Sequence, residues 1–469
     1  MRFSAATTAE RLLPERIAAA ARPILVRLDS LIHASDERGE AGRISVFAFA
    51  IRIVSAVFAF ISQVFLARWM GSFEYGIFVF VWVAVVIAGN IACFGFHTSV
   101  IRFVPEYRET QRFAELRGIL LASRLLTFFA ATAVALVASA GVYLLGDAIE
   151  SYYVLPLYLG IACLPMIALS DVLSGISRAN AWAISALVPV YILRPVLILV
   201  FMGGALFVGL EATAVTAVVA AILATYTTAV MQLINVRAQS DRVIPPGPRA
   251  MLWRQWIIVS LPIFLVESFF FLLTNADVLM VGMYMSPHDV AVYFATVKTL
   301  ALVHFVYFAV KAGVAQRYAA YMHGDREQLD AFARETVSWT FWPSLAMAVV
   351  VLLLGKPMLM LFGPGFDAGY FLLFLLVGGV VARAAVGPAE SLLTMSGHQN
   401  ICALVYAVTL AINVILNMLL IPHFGLWGAA AATAFAMTFE AAALSFTVWR
   451  KLGIVMIIVS TTAKRKTAQ

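Results

Sequence analysis

Along most of the chain, apolar runs of about 20 residues alternate with short polar breaks. Each run is close to the length of a helix that crosses a hydrocarbon core about 30 Å thick, at about 1.5 Å per residue. The pattern predicts twelve membrane helices, over residues 44–67, 76–97, 118–145, 152–175, 183–206, 211–236, 256–282, 290–312, 337–362, 368–394, 400–421 and 426–449. The runs are too long for barrel strands, and a helix is the other way to satisfy every backbone group in lipid. Residues 1–43 and 450–469 read as tails, and the basic, proline-rich residues 237–255 read as a linker. The first tail has no apolar core followed by a small-residue cleavage site, so no signal peptide is expected. Its Ile17, Ile24, Leu28 and Leu31 fall at helical spacing among arginines, which suits an anionic leaflet surface or a plain solvated tail. IVMIIVS, Ile454 to Ser460, is too short to span and reads as interfacial or as packing on the bundle.

One break in the pattern returns. LARWMGSFEYGIFVF, Leu66 to Phe80, separates the first two runs at Gly71, Ser72 and Glu74, and a similar VGMYMSPHDVAVYFA lies at Val281 to Ala295. Gly71 and Ser72 suit a tight turn outside the membrane, and Glu74 suits the start of the helix that follows. At an offset of 215, Met70 aligns with Met285, Glu74 with Asp289, Gly76 with Ala291 and Phe78 with Tyr293; at 216, Gly209 and Leu210 align with Gly425 and Leu426. The expected fold is therefore an all-α integral membrane protein of two six-helix lobes, residues 44–236 and 256–449. Six is an even number, so the lobes share one orientation, as in transporters built from parallel repeats.

Composition agrees: 63% of residues are hydrophobic, 12% are charged and the mean hydropathy is +0.94. A soluble domain is about 45 to 50% apolar. The net charge of +7 would point to nucleic acid in a soluble chain, but the positions of the charges explain it differently. Alternate loops carry Arg102, Arg108, Arg112 and Arg117, then Arg178, then Arg237, Arg242, Arg249 and Arg254, then Lys311, Arg317, Arg326 and Arg334. The tails add seven arginines before Ile44 and Arg450, Lys451, Lys464, Arg465 and Lys466 after the last run. The opposite loops hold only Arg68 and Lys356, against Glu74, Asp147, Glu150, Glu211, Asp289 and Asp367. By the positive-inside rule both tails are cytoplasmic, and no nucleic-acid partner is expected. Cys93, Cys163 and Cys402 lie far apart in apolar runs and suggest neither a disulfide framework nor a zinc site. The seven histidines show no close ligand pairing, and there is no GxxxxGKS, HExxH or GxSxG. No cofactor, metal or enzymatic centre is expected; the function should reside in movement.

LARWMGSFEYGIFVF, NADVLMVGMYMSPHDVAVYFATVKTL, LLTMSGHQN at Leu392 to Asn400 and NVILNMLLIPHFGLWGAAAATAFAM at Asn413 to Met437, in this order, resemble the polysaccharide flippases of the multidrug/oligosaccharidyl-lipid/polysaccharide exporter superfamily. The resemblance covers about residues 44 to 450. It implies two lobes around a central cavity that opens alternately to either side of a bacterial inner membrane. The implied cargo is undecaprenyl-diphosphate-linked oligosaccharide, for lipopolysaccharide or exopolysaccharide assembly. Implied partners are that lipid-linked diphosphate, a proton or sodium ion, membrane lipids and glycan polymerase machinery.

Ten ionisable residues fall within the predicted spans: Arg52, Arg124, Asp171, Arg194, Glu267, Asp277, Lys298, Arg383, Glu390 and Glu440. Each costs about 2.5 to 3.5 kcal/mol or more if unpaired at a helix centre, so each should face protein or a watery cavity. The first unit has three cations against Asp171, the second Lys298 and Arg383 against four acids. Arginine forks match phosphate oxygens, which makes Arg194, Arg52 and Arg124 the candidate headgroup ligands, with Arg383 and Lys298 beside them. Arg194 lies between Pro189 and Pro195, where a kink frees carbonyls best tolerated beside a cavity. Arg52 and Arg124 lie nearer helix ends and also read as snorkelling. Glu267, Asp277 and Glu390 are the candidate ion-coupling acids. Glu267 sits mid-run in PIFLVESFFFLL, where burial disfavours the charged form and opens a route to proton exchange. Asp277 reads equally as a packing residue, and Arg383 and Glu390, seven apart on one face, also read as a mutually neutralising pair. Phe269, Phe270 and Phe271 are expected to face lipid or core.

A cation-coupled multidrug exporter of the same superfamily is the alternative, opposed by the arginine-rich first lobe. A glycan-joining enzyme would need catalytic groups on a long outer loop, and every outer loop is short. A scaffold has no use for five buried cations.

Overall fold

The computed structural model describes residues 37–321 and 326–458. Ile17, Ile24, Leu28 and Leu31, and the tail cations Lys464, Arg465 and Lys466, lie outside them. The described residues hold fifteen α-helices and no strand. The first nine are α1 (Glu37–Ala92), α2 (Phe96–Glu109), α3 (Phe113–Leu144), α4 (Ser151–Ile161), α5 (Leu164–Ala179), α6 (Ala183–Val188), α7 (Arg194–Phe207), α8 (Ala214–Val243) and α9 (Trp253–Tyr284). The others are α10 (Pro287–Tyr321), α11 (Arg326–Met360), α12 (Tyr370–Ala384), α13 (Ala389–Met395), α14 (Gln399–Phe424) and α15 (Leu426–Leu452). Among the described residues ten helical stretches are long and apolar enough to cross a membrane, three of them joining helices given above (Val54–Glu109, Ala183–Phe207 and Phe366–Met395), and the pair α4 and α5, bent by 46°, makes an eleventh span.

The first of these is a hairpin in all but name. At Gly71 the backbone leaves helical values, with φ 75 and ψ 170. Tyr75 Oη nevertheless donates to Gln63 Oε1 over 2.9 Å. Twelve residues of straight helix would separate the pair by about 18 Å along the axis, so the chain folds back at Gly71. The left-handed φ explains the glycine, and α1 thereby contains the first predicted span and most of the second.

Glu74 does not serve the start of its own helix. Its Oε2 accepts from the backbone N–H of Ala214 over 2.7 Å, so it caps α8 beside Thr213, whose Oγ1 accepts from Thr216 N. The aligned Asp289 stays local and accepts from Ser286. Gly209 and Gly425, also aligned, both take positive φ, 87° and 56°, in the turns before α8 and α15.

The two repeat-related turns meet. Ser72 Oγ lies 2.8 Å from His288 Nδ1, and a Cβ added to Gly76 would fall 1.7 Å from Pro287 O. Arg68 donates to the carbonyls of Leu361 and Met360 over 2.6 and 2.9 Å. Around this seam one apolar core runs through both halves of the chain, including Tyr75, Phe78, Val290, Tyr293, Phe362 and Phe366. Small residues permit such backbone approach where lipid offers no hydrophobic drive between helices. We call this the turn end.

At the other end, the linker is tethered. Residues 244–252 lie along α3, with Ala250 N donating to Ala114 O over 2.9 Å and Arg117 donating to Pro248 O and Pro245 O. Ser260 Oγ donates to Ser99 Oγ, and Trp256 Nε1 to Tyr107 Oη, so α9 packs on α2. The IVMIIVS segment, as far as described, packs on the bundle. Met456 is buried, and Ile458 N donates to Ala385 O where the tenth predicted span breaks between α12 and α13.

Candidate functional site

Between the halves, on the linker side of the seam, lies a cavity of about 700 Å³. Its polar wall comes from Asn90, His97 and Thr98, from Asp171, Ser174 and Arg178 on α5, from Arg194, and across the gap from Glu267, Lys311 and Glu390. Two backbone breaks of the chain border it. The second predicted span is interrupted between α1 and α2, with Gly95 left-handed at φ 73, which starts α2 at Phe96 and puts His97 and Thr98 in its first turn. The fifth span winds into a π turn over Pro189–Leu193, and Val190, Tyr191 and Arg194 line the cavity from it and from the start of α7. π turns and proline-opened carbonyls are tolerated in a membrane where they border protein or water.

Glu267 is held from the opposite half. Its carboxylate accepts from Thr98 Oγ1 over 2.8 Å and lies 2.7 Å from His97 Nε2. The first turn of α2 presents its positive dipole end there, which favours the charged acid. His97 Nδ1 is buried without a hydrogen-bond partner, and Arg178 donates to His97 O over 3.3 Å. Glu390 pairs with Lys311 over 2.7 Å on the cavity wall.

Arg194 is different. It is 6% exposed, lines the cavity, and its Nε and Nη2 have no hydrogen-bond partner. The charge of Asp171 reaches it, but no ion pair within 4.0 Å joins them among the described residues. A buried guanidinium in this condition is costly until an anion or water completes its fork.

The remaining sequence candidates lie elsewhere. The Arg52 side chain is outside the described residues. Arg124 Nε donates to Leu120 O of its own helix over 2.6 Å, and the residue does not line the cavity. Arg383 is buried against Glu440, 3.0 Å away, with its guanidinium 4.6 Å from the Tyr307 ring centre and 5.5 Å from that of Phe270. Thus Arg383 and Glu390 do not neutralise each other; each has a different partner. Asp277 accepts from Tyr293 Oη over 2.9 Å and from Thr433 Oγ1 over 3.4 Å, which ties α9 to α10 and α15. Lys298 lines a second, neighbouring cavity of about 310 Å³. Phe270 and Phe271, expected in lipid or core, line the central cavity.

Sequence reasoning missed Arg178, Lys311 and His97 as wall residues. The positive-inside pattern accounts for the two cations, and the histidine has no metal partner near it in sequence. A signal was present: Asp171, Ser174 and Arg178 fall at i, i+3 and i+7 on one helical face. The cavity consequently holds three cations, Arg178, Arg194 and Lys311, against three acids, Asp171, Glu267 and Glu390. The wall is thus balanced in charge, as the ten residues of the spans are, and the excess of cations in the first half is smaller here, two against Asp171. No group of three or more His, Cys, Asp or Glu suited to a metal occurs among the described residues.

Known proteins can be set against this geometry. The profile described as MatE matches residues 262–419. Among curated sequences none matches. The fold is similar to an inward-facing multidrug resistance MATE transporter of the MOP superfamily, at 12% identity and TM-score 0.69, covering 87% of this chain and 98% of that one. It is also similar to the lipid II flippase MurJ in an inward closed conformation, at 14% identity and TM-score 0.65, covering 86% and 87%. A MOP superfamily transporter from Pyrococcus furiosus, whose binding pocket is described as having reverse polarity, gives 14% identity and TM-score 0.63 over 90% and 97%. The solved neighbours are thus transporters and a flippase, and this chain is a multi-pass membrane protein with their fold. The profile described as Polysaccharide biosynthesis protein matches residues 44–316, more than half the chain, and the chain belongs to that family.

Proposed function

We propose that the protein is a flippase that moves undecaprenyl-diphosphate-linked oligosaccharide across a bacterial inner membrane by alternating access, coupled to a proton or sodium gradient. The observation that carries this reading is Arg194, a buried cation on the cavity wall with two unpartnered donors. A diphosphate supplies oxygens that match the arginine fork, and Arg178 and Lys311 add positive charge on the same wall. The units 44–236 and 256–449 rock against each other, and the seam at the turn end opens when the cavity faces the other side. On this reading, with the linker and basic loops taken as cytoplasmic from their charge, the seam closes the outer side, and the cavity reaches Arg178 and Lys311 toward the cytoplasm.

Glu267 and His97 couple the cargo to the ion. They join opposite units, so proton or ion exchange at the carboxylate changes a contact between the units. Arg194→Lys should retain part of the export of surface glycan in cells, whereas Arg194→Ala should lose it, by about tenfold or more for a lost charge-assisted bond. Protein level is measured alongside. Normal accumulation of Arg194→Ala with parental export would overturn the headgroup assignment.

A second reading, a cation-coupled multidrug exporter, is favoured by the equal count of acids on the wall and by the MatE match to the second half. Inhibition decides between the two. Undecaprenyl diphosphate should compete for the cavity, and a lipophilic cationic dye should not.

A further inference from the structure

The second cavity carries chemistry that the headgroup does not use. It lies between the two arms of α1 on one side and α9 and α10 on the other. It touches the central cavity, since Val86 lines both. On α9 the central cavity is lined from Val266 to Phe271 and the second by Asn275, four residues further on, or about 6 Å nearer the turn end. The compartments are therefore stacked along the path that any cargo leaving at the turn end would take.

Its volume is at the low end of ligand pockets, which run from about 300 to 1,000 Å³, and its composition is that of a ligand site: aromatic walls with a few polar groups. Phe60, Trp82, Phe294 and Phe305 supply the aromatic surface. Trp82 is fixed by stacking on Phe78 at 6.1 Å, and Phe60 by an edge contact with Phe362 at 5.4 Å. Gln63 accepts from Tyr75 Oη through Oε1, and Asn275 donates through Nδ2 to Phe271 O, so each amide is anchored at one end with its other atom left for a ligand. The cation is Lys298. Its Nζ lies 4.7 Å from the Phe294 ring centre, its side chain is exposed on the cavity wall, and it forms no ion pair among the described residues. Asp277, the acid whose charge reaches it, is engaged by Tyr293 and Thr433.

We infer that this compartment is a sugar site selective for a carboxylate-bearing residue of the glycan. The aromatic walls take the apolar faces of a sugar ring, the anchored amides take its hydroxyls, and Lys298 takes the carboxylate. A neutral sugar fills the same space but leaves the ammonium without a partner. This inference rests on the reading of the cargo as a lipid-linked glycan, and it narrows that cargo to an acidic one.

Binding of free saccharide needs no lipid carrier and no transport, which separates a failure here from a failure of the flippase reading. The purified full chain in detergent is titrated with a short oligosaccharide of alternating uronic acid and hexosamine, and with its carboxyl-reduced counterpart. Binding is followed by calorimetry and by the tryptophan fluorescence to which Trp82 contributes. The acidic sugar should bind about tenfold tighter, the scale of one charge-assisted hydrogen bond. Lys298→Gln should bring the two within about twofold of each other, and Lys298→Arg should keep the preference. Trp82→Leu should weaken both sugars. Monodispersity of each variant on gel filtration reports its folding, and the arginine variant provides the answer if the glutamine variant misfolds. Equal affinities in the parent, or a preference that survives Lys298→Gln, would overturn the assignment and leave the headgroup proposal standing.

Discussion

Arg383 and Glu440 show what a low-dielectric interior asks of a charge. They lie 3.0 Å apart at 5% and 1% exposure, so removing one leaves the other buried without compensation. Glu440→Gln or Arg383→Met alone should cost about 3 to 5 kcal/mol, while the paired change Arg383→Met with Glu440→Leu should recover most of it. Thermal unfolding in detergent checks this, and additive losses would contradict it. Glu267 pairs instead on the cavity wall, with His97 of the other half. Glu267→Gln should remove the response of transport to an imposed proton or sodium gradient in vesicles; an unchanged response would exclude the coupling role. At this scale the sequence marks which charges are buried, because ionisable residues in apolar runs are few. It does not mark their partners, because a partner comes from another helix: Glu440 for Arg383, Lys311 for Glu390, His97 for Glu267. Arg178 and Lys311 escaped notice for a related reason. A cation near a helix end serves equally for orientation and for lining a cavity.

Several helices that read as uniform apolar runs are interrupted in the structure, two of them beside the cavity. Apolar periodicity reports the length of a run and not its continuity. The break at Gly95 carries no proline, whereas Gly387 and Pro388 mark the one between α12 and α13, and Pro189 and Pro195 mark the π turn of the fifth span. The hairpin at Gly71 was legible because glycine and serine interrupt the run, but its contact with the second repeat was not. That contact yields a prediction. Gly76→Val places side-chain atoms on Pro287 O, where a Cβ alone would be 1.7 Å away, and should lower stability by about 1 to 3 kcal/mol or open the seam. The same substitution at Gly141, with nothing within 4 Å, should have little steric effect. Comparison of the two melting temperatures checks it; equal losses would show that the seam is not tightly packed.

For the whole molecule, the apolar runs were enough to anticipate an all-α, multi-span fold like that of the solved transporters. A single sequence encodes every state of a cycle, so it could not say which state the described structure adopts. Reporters fused at Gly247 and at Ser286 should fall on opposite sides of the membrane, the first cytoplasmic and the second periplasmic; a cytoplasmic Ser286 would overturn the orientation. Cysteines at positions 72 and 288, whose native side chains are 2.8 Å apart, should crosslink with a short thiol reagent and stop transport until reduced or cleaved. Transport that persists in the crosslinked protein would mean that the seam does not open. The central claim is tested most directly in vesicles carrying undecaprenyl-diphosphate-linked oligosaccharide on one leaflet only, with the glycan on the other leaflet scored by a membrane-impermeant glycosidase. The parent protein should make the glycan accessible on the far side and Arg194→Ala should not, whereas movement of a cationic dye with the glycan left in place would contradict the account.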